Sequence, residues 1–202
     1  MRVVLIGGPS NVGKSTVAQG LADRLGWSYV STDKLARHPG RPWLPDGSPV
    51  TKPYVVDHFR SLSVDELFTA VVEHYTRMWP GIEQLVRAHA TDPAAGRLVL
   101  EGSALWPPNV ATLEIPGVAA FWLTAPSELL RARMYAGSRY GERTADEQSL
   151  VDKFLGRAVL YNERMADALT RLGLSSVDVG AEPPAEQTVE RILRLVAAPS
   201  RT

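Results

Sequence analysis

The chain has no cysteine among its 202 residues. Disulfides and cysteine–zinc sites are thereby excluded, which suits a cytoplasmic protein. It has no excess charge of either sign, because 22 Lys and Arg balance 22 Asp and Glu. With no basic field, nucleic acid is not an expected partner. It has no long hydrophobic run. The longest clean apolar stretch, Val118 to Leu123, is far too short to span a bilayer, so no membrane association is expected. The first strand pattern starts at once, and no signal peptide is expected. Only four histidines occur, His38, His58, His74 and His89, and they lack metal-ligand spacing. His74 and His89 read as surface residues. No repeat or low-complexity tract is present. The remaining composition, 45% hydrophobic, supports one domain over residues 1–202 with a real core.

The most telling feature that is present lies at the start. Val3-Val4-Leu5-Ile6 reads as a strand, and Gly7-Gly8-Pro9-Ser10-Asn11-Val12-Gly13-Lys14-Ser15-Thr16 follows. Gly8 through Ser15 fits the G-x-x-x-x-G-K-[ST] phosphate-binding pattern. Gly8 and Gly13 let the backbone wrap closely and take positive φ. The N–H groups of the loop, through Asn11, Val12 and Thr16, then cradle anionic oxygens at a helix N-terminus. Lys14 can reach the β- and γ-phosphates and should be exposed in an empty loop. Ser15 can ligate Mg²⁺. An amphipathic run of Val17, Leu21 and Leu25 continues the helix. ATP and Mg²⁺ are the expected cofactors.

Strand and helix patterns alternate along the rest of the chain, which predicts an α/β fold with a parallel sheet. Strands are expected at Arg2–Ile6, Trp27–Val30, Arg97–Glu101, Val118–Leu123 and Leu174–Val179. Gly26 should end the first helix. Ser31-Thr32 can cap a short helix carrying Asp33, Lys34 and Arg37. His38 to Pro53 holds five prolines and two glycines, so regular structure is not expected there. A shaped loop over a substrate is the favoured reading, with His38, Arg41 and Trp43 near it. Ser63 should start a strong helix that Pro80-Gly81 breaks or kinks. Gly137 to Thr144 reads as a polar, arginine-bearing loop before a long helix, Asp146 to Leu172. Tryptophans 43, 79, 106 and 122 read as core or pocket wall.

Beyond the loop, a resemblance emerges. Ser31-Thr32-Asp33-Lys34-Leu35-Ala36-Arg37 resembles the S-T-G-D-x-x-R element of adenylate-kinase-like enzymes, in which the Arg holds acceptor phosphate. It departs in one place: the acid comes one position early, with no glycine before it. It is closer there to the S-T-D or D-x-D elements of P-loop kinases that phosphorylate hydroxyls, such as shikimate kinase and antibiotic phosphotransferases. Asp152…Arg157-x-x-x-Tyr161 is similar to the D…R-x-x-x-Y run after the lid of adenylate kinases. Arg131, Arg133, Arg139 and Arg143 lie where these kinases carry a mobile lid. The G-G-x-x-x-x-G-K-S-T loop and the strand-end Glu101-Gly102 are also similar to 2-phosphoglycerate kinases. The resemblance implies a three-layer P-loop NTPase fold with a five-stranded parallel sheet in the order 2-3-1-4-5. It further implies an acceptor-binding insertion at about 32–92 and a helical lid at about 135–147.

The expected activity is Mg²⁺–ATP-dependent phosphorylation of a hydroxyl on a small-molecule acceptor, by a monomer or homodimer. Lys14 holds phosphate and Ser15 the metal. Asp33, at the carboxyl edge where open α/β sheets bind ligands, orients or deprotonates the hydroxyl. Its rival role is a helix-start acid. Arg37, Arg41, Glu101 and Arg157 are expected on the acceptor side, with Glu101 also able to hold Mg²⁺ through water. Arg133 is expected at the nucleotide. Arg139 and Arg143 are expected to neutralise the transferring group. A nucleoside monophosphate kinase is the first alternative, and a nucleotide-dependent regulatory module without turnover is another. A GTPase is disfavoured because no N-K-x-D element follows a late strand.

Overall fold

The first strand, β1 (Val3–Gly7), is buried at every position. Such a continuous apolar run, without alternation, marks a strand covered on both faces. The structure is a computed structural model that describes residues 1–36, 40–180 and 185–197. The other strands are β2 (Ser28–Ser31), β3 (Leu98–Glu101), β4 (Val118–Thr124) and β5 (Ser176–Asp178). All pairings are parallel and the order is β2-β3-β1-β4-β5. The helices are α1 (Lys14–Leu25), α2 (Pro53–Ser61), α3 (Val64–Thr91), α4 (Pro107–Val110), α5 (Ser127–Ser138), α6 (Ala145–Leu172) and α7 (Ala185–Ala197). The expected α/β class and strand order are both found.

Side chains alternate across the sheet, so each strand feeds two cores. Val4, Ile6 and Val99 meet α1, α5, α7 and the first half of α6. Val3, Leu5, Leu98 and Leu100 meet α3 and the second half of α6. The register Ile6↔Glu101 and Ser31↔Glu101 brings three strand ends to one edge. That edge carries the phosphate loop, Glu101 and the turn with Asp33.

Three local expectations change. Pro80 does not interrupt α3, which runs unbroken from Val64 to Thr91. An interior proline costs about 3 kcal/mol. Beyond it, Ile82, Val86 and Ala90 are buried in the second core, and each large side chain there returns about 1.5–3 kcal/mol. Tertiary packing therefore wins. α2 was not expected: Pro53 opens it at the first helical position, and Val55 and Phe59 bury one face. Finally, the stretch between α5 and α6 is short, with one 3₁₀ turn at Tyr140–Glu142. The ends of α5 and α6 occupy most of the segment assigned to a lid.

The Pro-rich loop has a definite shape. Residues 42–50 form a hairpin closed by an antiparallel bridge between Trp43 and Pro49. Asp46 accepts from the backbone and hydroxyl of Ser48 at its tip. Trp43 is buried edge-on against Phe154 of α6, centroids 5.0 Å apart.

Candidate active site

The phosphate loop takes its shape from the residues that allow it. Asn11 (φ 63°) and Gly13 (φ 101°) are left-handed. Gly13 caps α1 without a side-chain bond, so the first N–H groups of that helix remain for an anion. Lys14 differs from expectation, because it is only 8% exposed. Its Nζ folds back and donates to the Pro9 carbonyl at 2.7 Å. A buried ammonium needs such a partner. Burial pushes the Lys14 pKa down, against the opposing pull of Glu101 and Asp33.

Glu101 ends β3 and is 2% exposed. Its Oε1 accepts from the Ser15 hydroxyl at 3.2 Å and from the Tyr29 hydroxyl at 3.0 Å. Burial, then the Glu101 charge and hydrogen bond, push the Tyr29 pKa up. The next residue, Gly102 (φ 152°), lies so close to the Asp33 turn that a Cβ would stand 1.7 Å from Thr32 Oγ1. A side chain there would displace the turn. Asp33 sits in that turn, its N–H donating to Ser31 Oγ at 3.3 Å and its carboxylate exposed toward the cleft.

The cleft between these elements has a volume of about 940 Å³. Ser10, Asn11, Gly13, Lys14, Ser15 and Thr16 line one side. Asp33, Arg41, Lys52, Tyr54, Tyr75 and Arg157 line the other. The Arg41 guanidinium lies over Trp43, 5.9 Å from the ring centroid. Arg157 on α6 is 4% exposed, with its guanidinium over Phe154 (4.5 Å) and Phe59 (5.4 Å). Its Nη1 is buried without a hydrogen-bond partner, and burial lowers its pKa. Burial pushes the nearby Tyr75 hydroxyl up to about 12.

A smaller hollow of about 260 Å³ lies behind the loop, lined by Val12, Gly13, Arg133, Val179, Ala185 and Thr188. Arg133 Nη1 donates to the carbonyls of Val12 (2.8 Å) and Asn11 (3.4 Å). The structure thus brings Lys14, Ser15, Asp33, Arg41, Glu101 and Arg157 to one cleft and sets Arg133 against the loop. It places Arg139 and Arg143 elsewhere. Arg143 donates to the carbonyls of Ser138 and Gly47, while Arg139 pairs with Glu142 and packs on Gly47. Both hold the hairpin. Arg37 and His38 lie outside the described residues. Arg131 lines a groove on another flank with Tyr135 and Asp152.

Sequence reasoning missed Tyr29, Lys52, Tyr54 and Tyr75, and took His74 for a surface residue although it lines the cleft. Tyr75 carried a signal, since it falls on the apolar stripe of α3. The others had none. Among the described residues, no group of three or more His, Asp or Glu side chains could hold a metal alone. Ser15 and the buried Glu101 are the oxygen donors that fit one. Among the described residues, no helix is long and apolar enough to cross a membrane.

Comparison with known proteins agrees with this geometry. A shikimate kinase from Nitratidesulfovibrio vulgaris is 33% identical over 170 residues, covering 80% of this chain and 82% of that protein. A deoxyadenosine kinase from M. mycoides, solved with bound dATP, superposes with a TM-score of 0.54 at 12% identity, covering 97% and 100% of the two chains. A shikimate kinase from Acinetobacter baumannii in complex with shikimate gives 0.51 at 15% identity, covering 100% and 96%. No family model matches the chain.

Proposed function

The chain belongs to the shikimate kinase family of P-loop small-molecule kinases, and from that premise we propose how its residues divide the work and what its acceptor carries. It is an ATP-dependent kinase that transfers a phosphoryl group to a hydroxyl of a small molecule. The proposed acceptor bears, besides that hydroxyl, a carboxylate or phosphate gripped by Arg157.

One observation carries the acceptor reading. Arg157 is a buried guanidinium with no ion pair among the described residues and an unpartnered Nη1. Burying an uncompensated charge costs several kcal/mol. Two aromatic faces return about 0.5–2 kcal/mol each. An anion in the cleft offsets the remainder, through hydrogen bonds to charge worth about 1.5–3 kcal/mol each.

The other roles follow from position. The loop N–H groups and Lys14 hold the nucleotide phosphates. Ser15 and Glu101 would hold Mg²⁺, which would draw charge from the transferring group. Asp33 stands across the cleft, where it orients the acceptor hydroxyl and takes its proton. Arg133 and the hollow beside it face the base. Arg41 and Lys52, which flank the hairpin 42–50, border the acceptor side of the cleft, so the hairpin would shield its rim from water.

ADP release measured over a panel of compounds tests this. Hydroxy acids and phosphorylated alcohols should support turnover, and neutral sugars should not. Turnover with neutral sugars alone would refute the Arg157 reading. Turnover with nucleoside monophosphates alone would make this a monophosphate kinase.

A further inference from the structure

Three side chains from three elements meet at one oxygen behind the phosphate loop. Tyr29 on β2 pairs with Val99 on β3, and Ser31 pairs with Glu101. Alternation along both strands puts Tyr29, Val99 and Glu101 on the sheet face that α1 covers. Glu101 thus lies one diagonal step from Tyr29, a distance a phenol spans. Ser15 comes down from the first turn of α1. Both hydroxyls reach Glu101 Oε1, and no donor among the described residues reaches Oε2.

This arrangement does more than satisfy a buried acid. Glu101 is 2% exposed, yet none of the ion pairs among the described residues includes it. Its hydrogen bonds come from hydroxyls alone, while the Lys14 charge acts on it through space. A serine hydroxyl has one proton and two lone pairs. With the Ser15 O–H donated in a hydrogen bond to Glu101, only lone pairs remain for the cleft, as a hard cation requires. A second donor on the same Oε1 fixes the rotation of the carboxylate, with Oε2 left over. Apolar packing against the Tyr29 ring fixes the donor in turn.

We infer that Tyr29 is a positioning residue for the cation that accompanies the nucleotide: it sets the orientation of Glu101, and through Glu101 the lone pairs of Ser15. The inference rests on the kinase reading above. Mg²⁺ demands near-ideal octahedral geometry, so it is sensitive to a ligand turned out of line. Loss of an outer partner of a metal ligand typically costs 10–100-fold in metal affinity.

Calorimetric titration of ATP tests it, in EDTA and at rising Mg²⁺, with the wild type, Tyr29→Phe, Glu101→Gln and the double variant. Phe keeps the ring and its packing and removes only the hydroxyl. In EDTA, Tyr29→Phe should bind ATP as the wild type does. The Mg²⁺ concentration giving half of the full enhancement should rise about tenfold. Glu101→Gln should raise it at least as far, and the double variant should match Glu101→Gln alone. A Tyr29→Phe protein with the wild-type Mg²⁺ requirement would overturn the inference, as would effects that add in the double variant. Equal weakening in EDTA and in Mg²⁺ would reduce Tyr29 to a packing residue and overturn it too. Failure of the kinase reading looks different: the wild type itself would then bind no ATP, or bind it without regard to Mg²⁺.

Discussion

The two walls of the cleft are built on opposite plans. The nucleotide wall is one continuous stretch, residues 7–16, whose chemistry is mostly backbone. Its cation, Lys14, already has a partner in the Pro9 carbonyl. The proposed acceptor wall is assembled from scattered side chains: Asp33 in the turn after β2, Arg41 just before the hairpin, Tyr54 on α2, Tyr75 on α3 and Arg157 on α6. Its buried cation, Arg157, lies over two aromatic faces and keeps an open Nη1. Under the proposed function, one wall is a ready-made mould and the other is completed by its ligand. A scaffold that keeps the donor site constant and varies the acceptor site requires this division: backbone geometry resists substitution, whereas scattered side chains change singly.

The sharpest attempt to break this contrast is Asp33→Asn. If the carboxylate takes the hydroxyl proton, kcat should fall about 10²–10⁴-fold with ATP affinity unchanged. A helix-start acid would cost only about 0.3–1 kcal/mol of stability, visible as a slightly lower Tm at native kcat. Next comes Lys14→Ala, expected to lower kcat about 10²–10³-fold and weaken Mg²⁺–ATP binding by calorimetry. Native values for both would sink the phosphate-loop assignment. Arg157→Met separates the walls most directly. Acceptor KM should rise about 10–100-fold, as hydrogen bonds to charge are lost. Tm should hold or climb, because an uncompensated buried charge is gone. A lower Tm at native KM would make Arg157 scaffold. The smallest effect belongs to Arg143→Ala, which removes a donor to the Gly47 carbonyl. Acceptor KM should rise about 2–10-fold, in line with one neutral-acceptor bond, while ATP affinity stays put. A collapse of kcat instead would restore Arg143 to the transferring phosphate.

The same division explains what could be read from the sequence. The phosphate loop and the ends of most elements were legible, since strand pattern, Gly13, Gly26 and the cap at Ser63 are local signals, while the sheet order came from the family resemblance. Asp33 and Glu101 were legible as candidates because strand ends place them, and Arg157 because its run resembles that of adenylate kinases. Their mutual geometry was not. Nothing local says that Tyr29 reaches Glu101, or that Arg143 turns from the nucleotide toward Gly47. The same holds for α3, where burial beyond Pro80 outweighs a proline that the local pattern marks as a break. The contacts of Arg139 and Arg143 were not legible either, because a charge-rich turn looks alike whether it faces a phosphate or a neighbouring carbonyl.

The fold-back of Lys14 makes nucleotide capture an exchange that involves protons. In the free protein its ammonium sits in a low-dielectric niche that favours losing the proton. The negative phosphates reverse that preference, so the bound state holds the proton to higher pH than the free state. Capture should therefore draw a proton from solvent as the pH approaches the lowered value. Sign and consequence agree: affinity is complete at lower pH and declines as the pH climbs past the free-state pKa. Binding heats recorded in buffers of different ionisation enthalpy should reveal that uptake and should lose it in Lys14→Ala. An empty mould that shelters its own cation thus becomes, at alkaline pH, a weaker trap for the very anion it was shaped around.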